Sequence, residues 1–332
     1  MTTVAEPRTT DRFRADVLAG LTAPRKRLSA KYFYDAEGSR LFDQITELEE
    51  YYPTRTELCI MRRHAAEMAA AIGPRCLLTE LGAGSLTKVR LLLDQLPDPV
   101  AYVPVDVSGD YLSSAAAELE ADYPRLDVLP VVADFTTAFA VPELARPAAR
   151  RAVYFPGSTL GNFDPPDADR LLRRVARLVG PCGCLLLGVD LRKDVTVLEA
   201  AYNDRRGVTA AFNKNVLVRI NRELGADFDL DAFRHRAFYN SRLSRIEMHL
   251  VSGADQDVRI GDAVVRFRAG ESIHTENSYK YDLGELRERA DGWGFRVERV
   301  WTDPHRYFAV ILLAAPGHTP ATVTAGAALT LR

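Results

Sequence analysis

The sequence predicts an α/β protein built on a parallel, doubly wound nucleotide-binding sheet that ends in an antiparallel hairpin and carries a second domain. Three observations lead there. Apolar Leu77, Leu78 and Leu81 form a short strand-like run that meets Gly82-Ala-Gly84 and then a segment with Val89, Leu92, Leu93 and Leu96 at helical spacing. The next such run, Ala101 to Val105, ends in Asp106, roughly twenty residues beyond the glycine turn, where nucleotide-binding sheets place the acid that holds ribose hydroxyls. The strand and helix alternation stops at about Arg192, resumes at about Asp282, and closes with the pair Gly294 to Trp301 and Tyr307 to Ala314 around a Thr302-Asp303-Pro304 turn.

Taken in order, residues 12 to 22 predict a helix with Phe13, Val17 and Leu21 on one face. A segment dense in aromatics comes next, with Tyr32-Phe-Tyr34, Phe42 and Tyr51-Tyr52. It reads either as a cap whose rings pack on the core or as a lid over a ligand. The glycine turn then lets backbone approach a nucleotide closely, and it aims the first N–H groups of the next helix at it. Leu86 and Thr87 stand where a dinucleotide fingerprint needs a third glycine, so dinucleotide binding loses ground.

Leu126 to Phe135 predicts a further strand running into Asp134, which either faces the same crevice with Phe135 beside a flat base or caps a helix. Ala152 to Phe155 is the next strand, and the polar loop Gly157 to Asn162 lands on the same sheet edge. Asp164 is expected to cap a helix that starts at Pro165, buries Leu172, Val175, Ala176 and Val179, and stops at Gly180. Cys184 to Val189 supplies a fifth strand. The insertion after it carries a helical region from Leu198 to Leu224, a strand from Arg245 to Leu250, a Ser252-Gly253 turn and a strand from Val258 to Phe267.

Composition excludes several classes. With 332 residues and 47% hydrophobic content the chain can bury real cores. A net charge of −2 without a basic run offers no field for nucleic acid, the N-terminal residues carry no apolar signal core, and no later apolar run approaches the length of a membrane span. A cytoplasmic protein is expected. Cys59, Cys76, Cys182 and Cys184 read as reduced thiols, and their spacing with His274-Thr-Glu276 does not make a zinc site, so no metal is expected.

Glu80-Leu-Gly82-Ala-Gly84 resembles the first motif of Rossmann-like methyltransferases that use S-adenosylmethionine (SAM). Longer stretches are more specific: Glu50-Tyr-Tyr-Pro-Thr-Arg-Thr-Glu57, Gly157-Ser-Thr-Leu-Gly-Asn162, Gly207 to Asn215, Asn221 to Asp229, and Ile273-His-Thr-Glu-Asn-Ser-Tyr-Lys-Tyr281. With them, from about Lys31 to Trp301, the chain resembles the histidine-specific N-alpha-methyltransferases of ergothioneine biosynthesis, which trimethylate L-histidine to hercynine.

That resemblance implies a class I methyltransferase sheet from 57–192 and 283–332, and a substrate-binding lid domain from 1–56 and 193–282. It implies cofactor contacts at Gly82, Lys88, Asp106, Asp134 and Phe135. For histidine it implies Tyr51, Gly157, Asn162, Tyr202, Glu276, Asn277 and Ser278, with Met248 lining the ring pocket and Tyr34 in the lid. Asn162 and Tyr202 suit the carboxylate and amine, while Glu276 and Ser278 suit the two imidazole nitrogens. No residue of this set is assigned as a general base; Tyr34 and Asn162 position the amine, and solvent takes its proton. The turn sequence Gly-Ala-Gly-Ser-Leu-Thr and the Val107-Ser-Gly loop depart from the family pattern, so outer cofactor contacts differ in detail. The expected partner is a small molecule acted on by a monomer. Rivals are the same chemistry on another amino acid such as tryptophan, a nucleotide-binding oxidoreductase, and a SAM-binding module without activity.

Overall fold

The computed structural model describes residues 9–84 and 86–317. Three helices come first: α1 (Thr9–Leu21), α2 (Ala36–Thr46) and α3 (Tyr52–Ile72). The alternating part holds β1 (Cys76–Leu81), α4 (Leu86–Leu93), β2 (Ala101–Asp106), α5 (Gly109–Asp122), β3 (Asp127–Val128), β4 (Val131–Val132), β5 (Arg150–Phe155), α6 (Pro165–Val179) and β6 (Cys184–Asp190). Next are α7 (Val195–Ala200), α8 (Val208–Leu224), β7 (Phe233–Asn240), β8 (Arg245–Ser252), β9 (Gln256–Ile260), β10 (Ala263–Phe267) and β11 (Ser272–Tyr279). The chain closes with α9 (Leu283–Trp293), β12 (Arg296–Thr302) and β13 (Phe308–Ala314).

The main sheet runs β12-β13-β6-β5-β1-β2-β3, with β4 also paired to β2. Its interior strands are parallel, and β13 is antiparallel to both β6 and β12. This is the class I methyltransferase arrangement. Both faces are buried: Leu77, Val103, Val153 and Leu185 pack on one side, and Leu78, Tyr102, Tyr154 and Leu186 on the other. A sheet covered on both sides needs no polar alternation, so these strands read as continuous apolar runs. Strand order reverses at β1, which opens the ligand crevice at the carboxyl ends of β1, β2 and β5.

A third hydrophobic cluster joins Phe13, Val17, Leu21 and Tyr51 of the N-terminal segment to Phe212, Ile246, Leu250 and Ile273 of the insertion. It packs around a separate sheet of order β11-β8-β7. Asn213, Asn215 and Asn221 stitch this part together. Asn213 donates to the His249 carbonyl at 3.1 Å and accepts from Thr275 Oγ1 at 2.7 Å; Asn215 donates to the Asp35 carboxylate that caps α2, at 2.8 Å. Asn221 exchanges two bonds with Phe228.

Several local expectations are corrected. The run from Leu126 to Phe135 is two short strands, since Pro130 lacks the N–H that would continue the ladder. The strand expected from Val258 to Phe267 is the hairpin β9–β10, turned by Gly261 at φ +59°. Leu96 falls beyond α4 yet remains buried. The helical region from Leu198 divides at Gly207, φ +72°, into α7 and α8. Asp164 stands before α6 without a capping bond from its side chain, because its Oδ1 is taken by Arg245 at 2.9 Å and Tyr279 at 2.9 Å. The tail beyond residue 317 lies outside the described residues.

Candidate active site

One cavity of about 830 Å³ lies where the crevice of the main sheet meets the N-terminal segment and β11. Every candidate site residue lines it except Met248. Met248 pairs directly across from Glu276 and so shares that face of the small sheet, but it is buried in the third hydrophobic cluster and backs the wall.

The cofactor half is built from strand ends. Gly82, at φ +72°, makes a turn that L side chains disfavour, and a Cβ there would meet the Phe135 ring at 3.6 Å. Asp106 ends β2; its Oδ1 accepts from the Ser108 N–H at 2.9 Å, which fixes the carboxylate. Asp134 makes the same kind of turn with the Thr136 N–H at 3.0 Å, and it lies 3.7 Å from the Lys31 ammonium of the N-terminal segment. Phe135 stacks edge-on against Phe155 and Phe163, with centroids 5.5 and 6.2 Å away. Carboxylate, flat ring and glycine cradle are groups that could hold a ribose, a base and a closely approaching nucleotide-like cofactor.

Glu57, from α3, ties this half together. It is fully buried, pairs with the Lys88 ammonium, and accepts from the Gly157 N–H through both oxygens at 3.1 and 3.0 Å. Beneath it Tyr102 donates to Glu80 at 2.5 Å, and burial pushes the Glu80 carboxyl up to about 8 despite Tyr102 and Lys88.

The other half faces it across the loop after β5. Gly161 lies so close to β11 that a Cβ would stand 2.9 Å from the Tyr279 carbonyl, so this contact sets Asn162 against the strand bearing Glu276, Asn277 and Ser278. Asn277 donates to Asp164 at 3.2 Å, and its buried Oδ1 has no hydrogen-bond partner among the described residues. An acceptor left this way on a cavity wall is suited to a ligand N–H. Burial pushes Glu276 up to about 7, against the opposing pull of Lys280. Rings lead in from the N-terminal segment: Tyr34 to Phe42 at 5.7 Å, Phe42 to Tyr51 at 6.2 Å, Tyr51 to Tyr202 at 6.3 Å. Burial first, and then the charge of Glu276 and its neighbours, raises the Tyr34, Tyr51 and Tyr202 phenols well above the usual 10.

Sequence reasoning missed the ionic floor of this half. Asp190, at the end of β6, accepts from Tyr52 at 2.7 Å, from Lys193 at 2.5 Å and from Lys280 at 2.8 Å. Burial works to raise the Asp190 carboxyl, and the Lys280 and Lys193 ammonium groups outweigh it and hold it low. The signal was available: Asp190 ends its strand as Asp106 does. Glu247, His249 and His274 bring ligand-type atoms within 4.8 Å of one another behind β11. The two imidazoles are stacked, centroids 4.8 Å apart at 18°, so their in-plane nitrogens do not converge on one point. His274 Nε2 instead faces the Glu276 carbonyl at 3.0 Å.

The comparisons agree with this geometry. The model of the SAM-dependent, histidine-specific methyltransferase family matches residues 13–315. The chain belongs to this family. The match begins well before Lys31 and ends beyond Trp301, wider than the motifs alone suggested, and it takes in α1 from Phe13 onward. Among curated relatives, a histidine N-alpha-methyltransferase of Mycolicibacterium smegmatis is 46% identical over 90% of this chain and 94% of that one. One of Mycobacterium tuberculosis is 44% identical over 91% and 94%. Ergothioneine biosynthesis protein 1 of Neurospora crassa is 29% identical over 85% of this chain and 32% of that one. The chain is a SAM-dependent methyltransferase. No helix among its described residues is long and apolar enough to cross a membrane.

Proposed function

We propose that this methyltransferase moves methyl groups from SAM to the α-amine of L-histidine, three times, to give hercynine for ergothioneine biosynthesis. One observation carries the choice of substrate: Glu276 and Ser278 stand two apart on β11 and so face the same way, an acceptor carboxyl beside a hydroxyl at the wall of the cavity. An imidazole, with one N–H and one bare nitrogen, matches that pair. The names of the mycobacterial relatives support the same substrate.

The third hydrophobic cluster supports a substrate domain made of the N-terminal segment and the insertion, laid over a cofactor domain made of the main sheet. Gly82, Lys88, Asp106, Asp134 and Phe135 would hold SAM, and Tyr51, Gly157, Asn162, Tyr202 and Asn277 the amino-acid backbone.

Bound SAM supplies a methyl group on a sulfonium, and the C–S electron pair stays with sulfur as the C–N bond forms. Charge moves and none is created, so positioning dominates. Asn162 and Tyr202 orient the amine, and the rings of Tyr34, Phe42 and Tyr51 shut water out of the line of attack. With their raised proton affinities Tyr34, Tyr51 and Tyr202 remain phenols at neutral pH. They hold the amine by hydrogen bonds, and its proton leaves to solvent.

Incubation of the protein with SAM and an equimolar mixture of the twenty amino acids, read by product mass, tests this. Histidine heavier by three methyl groups is the expected product. A different methylated amino acid, with histidine untouched, overturns the assignment.

A further inference from the structure

Resting on the histidine reading above, we infer that Lys280, anchored by Asp190, is a positioning residue that turns the Ser278 hydroxyl into a hydrogen-bond donor toward the cavity, and so makes the site select a ring bearing a bare nitrogen.

Three atoms form a closed triangle. Lys280 Nζ lies 2.8 Å from Ser278 Oγ and 3.1 Å from the Tyr202 hydroxyl, and Tyr202 donates to Ser278 Oγ at 2.7 Å. Lys280 is 2% exposed, and its remaining near partner is Asp190 Oδ2 at 2.8 Å. An ammonium has three hydrogens and no lone pair, so Lys280 enters all three contacts as donor. One hydrogen alone fits between the Tyr202 and Ser278 oxygens. A phenol is the better donor and an aliphatic hydroxyl the better acceptor, so that hydrogen is the tyrosine's. Ser278 Oγ then accepts twice, from Lys280 and from Tyr202, and both of its lone pairs are spent. Its own hydrogen is left over.

Ser278 lines the cavity, and a hydroxyl in this state offers a ligand a donor and nothing else. Two residues away Glu276, when ionised, offers an acceptor and nothing else. The wall therefore asks for a ring with one N–H and one bare nitrogen. Asp190 fits the anchoring role, since Lys193 and Tyr52 also bind it and it stays partnered when Lys280 is replaced.

The test compares L-histidine with pyrrolylalanine, whose ring keeps one N–H and carries C–H in place of the bare nitrogen. Wild type should prefer histidine by at least about tenfold in kcat/KM. Lys280→Met should shrink that preference about five- to tenfold, mainly through KM, with SAM affinity by calorimetry unchanged. Ser278→Ala should shrink it as far, and the double variant no further, since both remove the same donor. Tyr202→Phe, which frees a Ser278 lone pair while leaving Lys280 in place, supplies the comparison should Lys280→Met fold poorly. Equal losses on both substrates in these variants, with the preference intact, would overturn the role of Lys280. A wild type that ignores histidine altogether would instead overturn the substrate reading on which it rests.

Discussion

The Glu57 carboxylate reaches one hundred residues along the chain to accept the Gly157 backbone N–H through both oxygens, at 3.1 and 3.0 Å, while it pairs with the Lys88 ammonium. One side chain of α3 thus holds together Lys88 and the loop after β5, one proposed cofactor contact and one proposed substrate contact. Glu57→Ala would leave a part-buried N–H and a nearly buried ammonium without that partner, and should cost about 2 to 4 kcal/mol of unfolding free energy. Glu57→Gln keeps one acceptor oxygen for Gly157 while losing the charge and the second acceptor, so it should cost about half as much. Urea unfolding of both variants checks the order, and wild-type midpoints for both would refute it.

Asp106 makes its turn with one oxygen and is proposed to hold ribose. Asp106→Ala removes turn and charge, and should weaken SAM binding by about 1.5 to 3 kcal/mol in calorimetry. Asp106→Asn can keep the bond from the Ser108 N–H and should fall between alanine and wild type. If the alanine variant binds SAM normally, the ribose lies elsewhere.

Much of the cofactor half was legible because parallel strands announce themselves. β1, β2, β5 and β6 are apolar over most of their length, and the loop after each one must lie at the carboxyl edge. The small sheet was harder. β11 reads Ser-Ile-His-Thr-Glu-Asn-Ser-Tyr, polar at most positions because it faces the cavity, so its apolar alternation is lost and only the family resemblance marked it. Asp190 and Lys280 escaped for a related reason. Each looks like a surface charge until the fold buries them against each other, and pairing between β6 and the end of β11 is not local in sequence. The asparagines of the Gly207 to Asn215 and Asn221 to Asp229 motifs stand out in the sequence with equal strength, yet their bonds hold the scaffold together.

Glu276 gives the apoprotein a stability signature in pH. Its folded pKa, about 7, lies above the ordinary 4.5, so the folded state holds the proton more tightly than the unfolded chain does. The stabilising contribution is complete below about pH 4.5 and is lost as pH rises through 7. Glu276→Gln cannot titrate, and its stability relative to wild type should increase steadily across that window and level off above it. Urea midpoints at intervals from pH 5 to about 8 measure the difference. A difference independent of pH would mean that Glu276 titrates normally.

The same carboxylate is proposed to read the substrate ring. If Glu276 accepts the imidazole N–H, its loss leaves a donor on the bound ring without a partner, at a cost of about 1.5 to 3 kcal/mol. Glu276→Ala also empties space on the wall, and Met248 stands directly across the ladder on the same face, so shortening it deepens the pocket there. Tryptophan presents a larger ring whose burial gains from that space, and it carries no second nitrogen for Ser278 to satisfy. Glu276→Ala should therefore lower kcat/KM for histidine about tenfold or more while tryptophan changes little or improves. Met248→Val added to it should move the preference further toward tryptophan, and by itself should do much less, since Met248 backs the wall and does not form it. The ratio of kcat/KM for the two substrates in wild type and the three variants separates the contributions. A constant ratio across the series would mean that Glu276 does not read the ring.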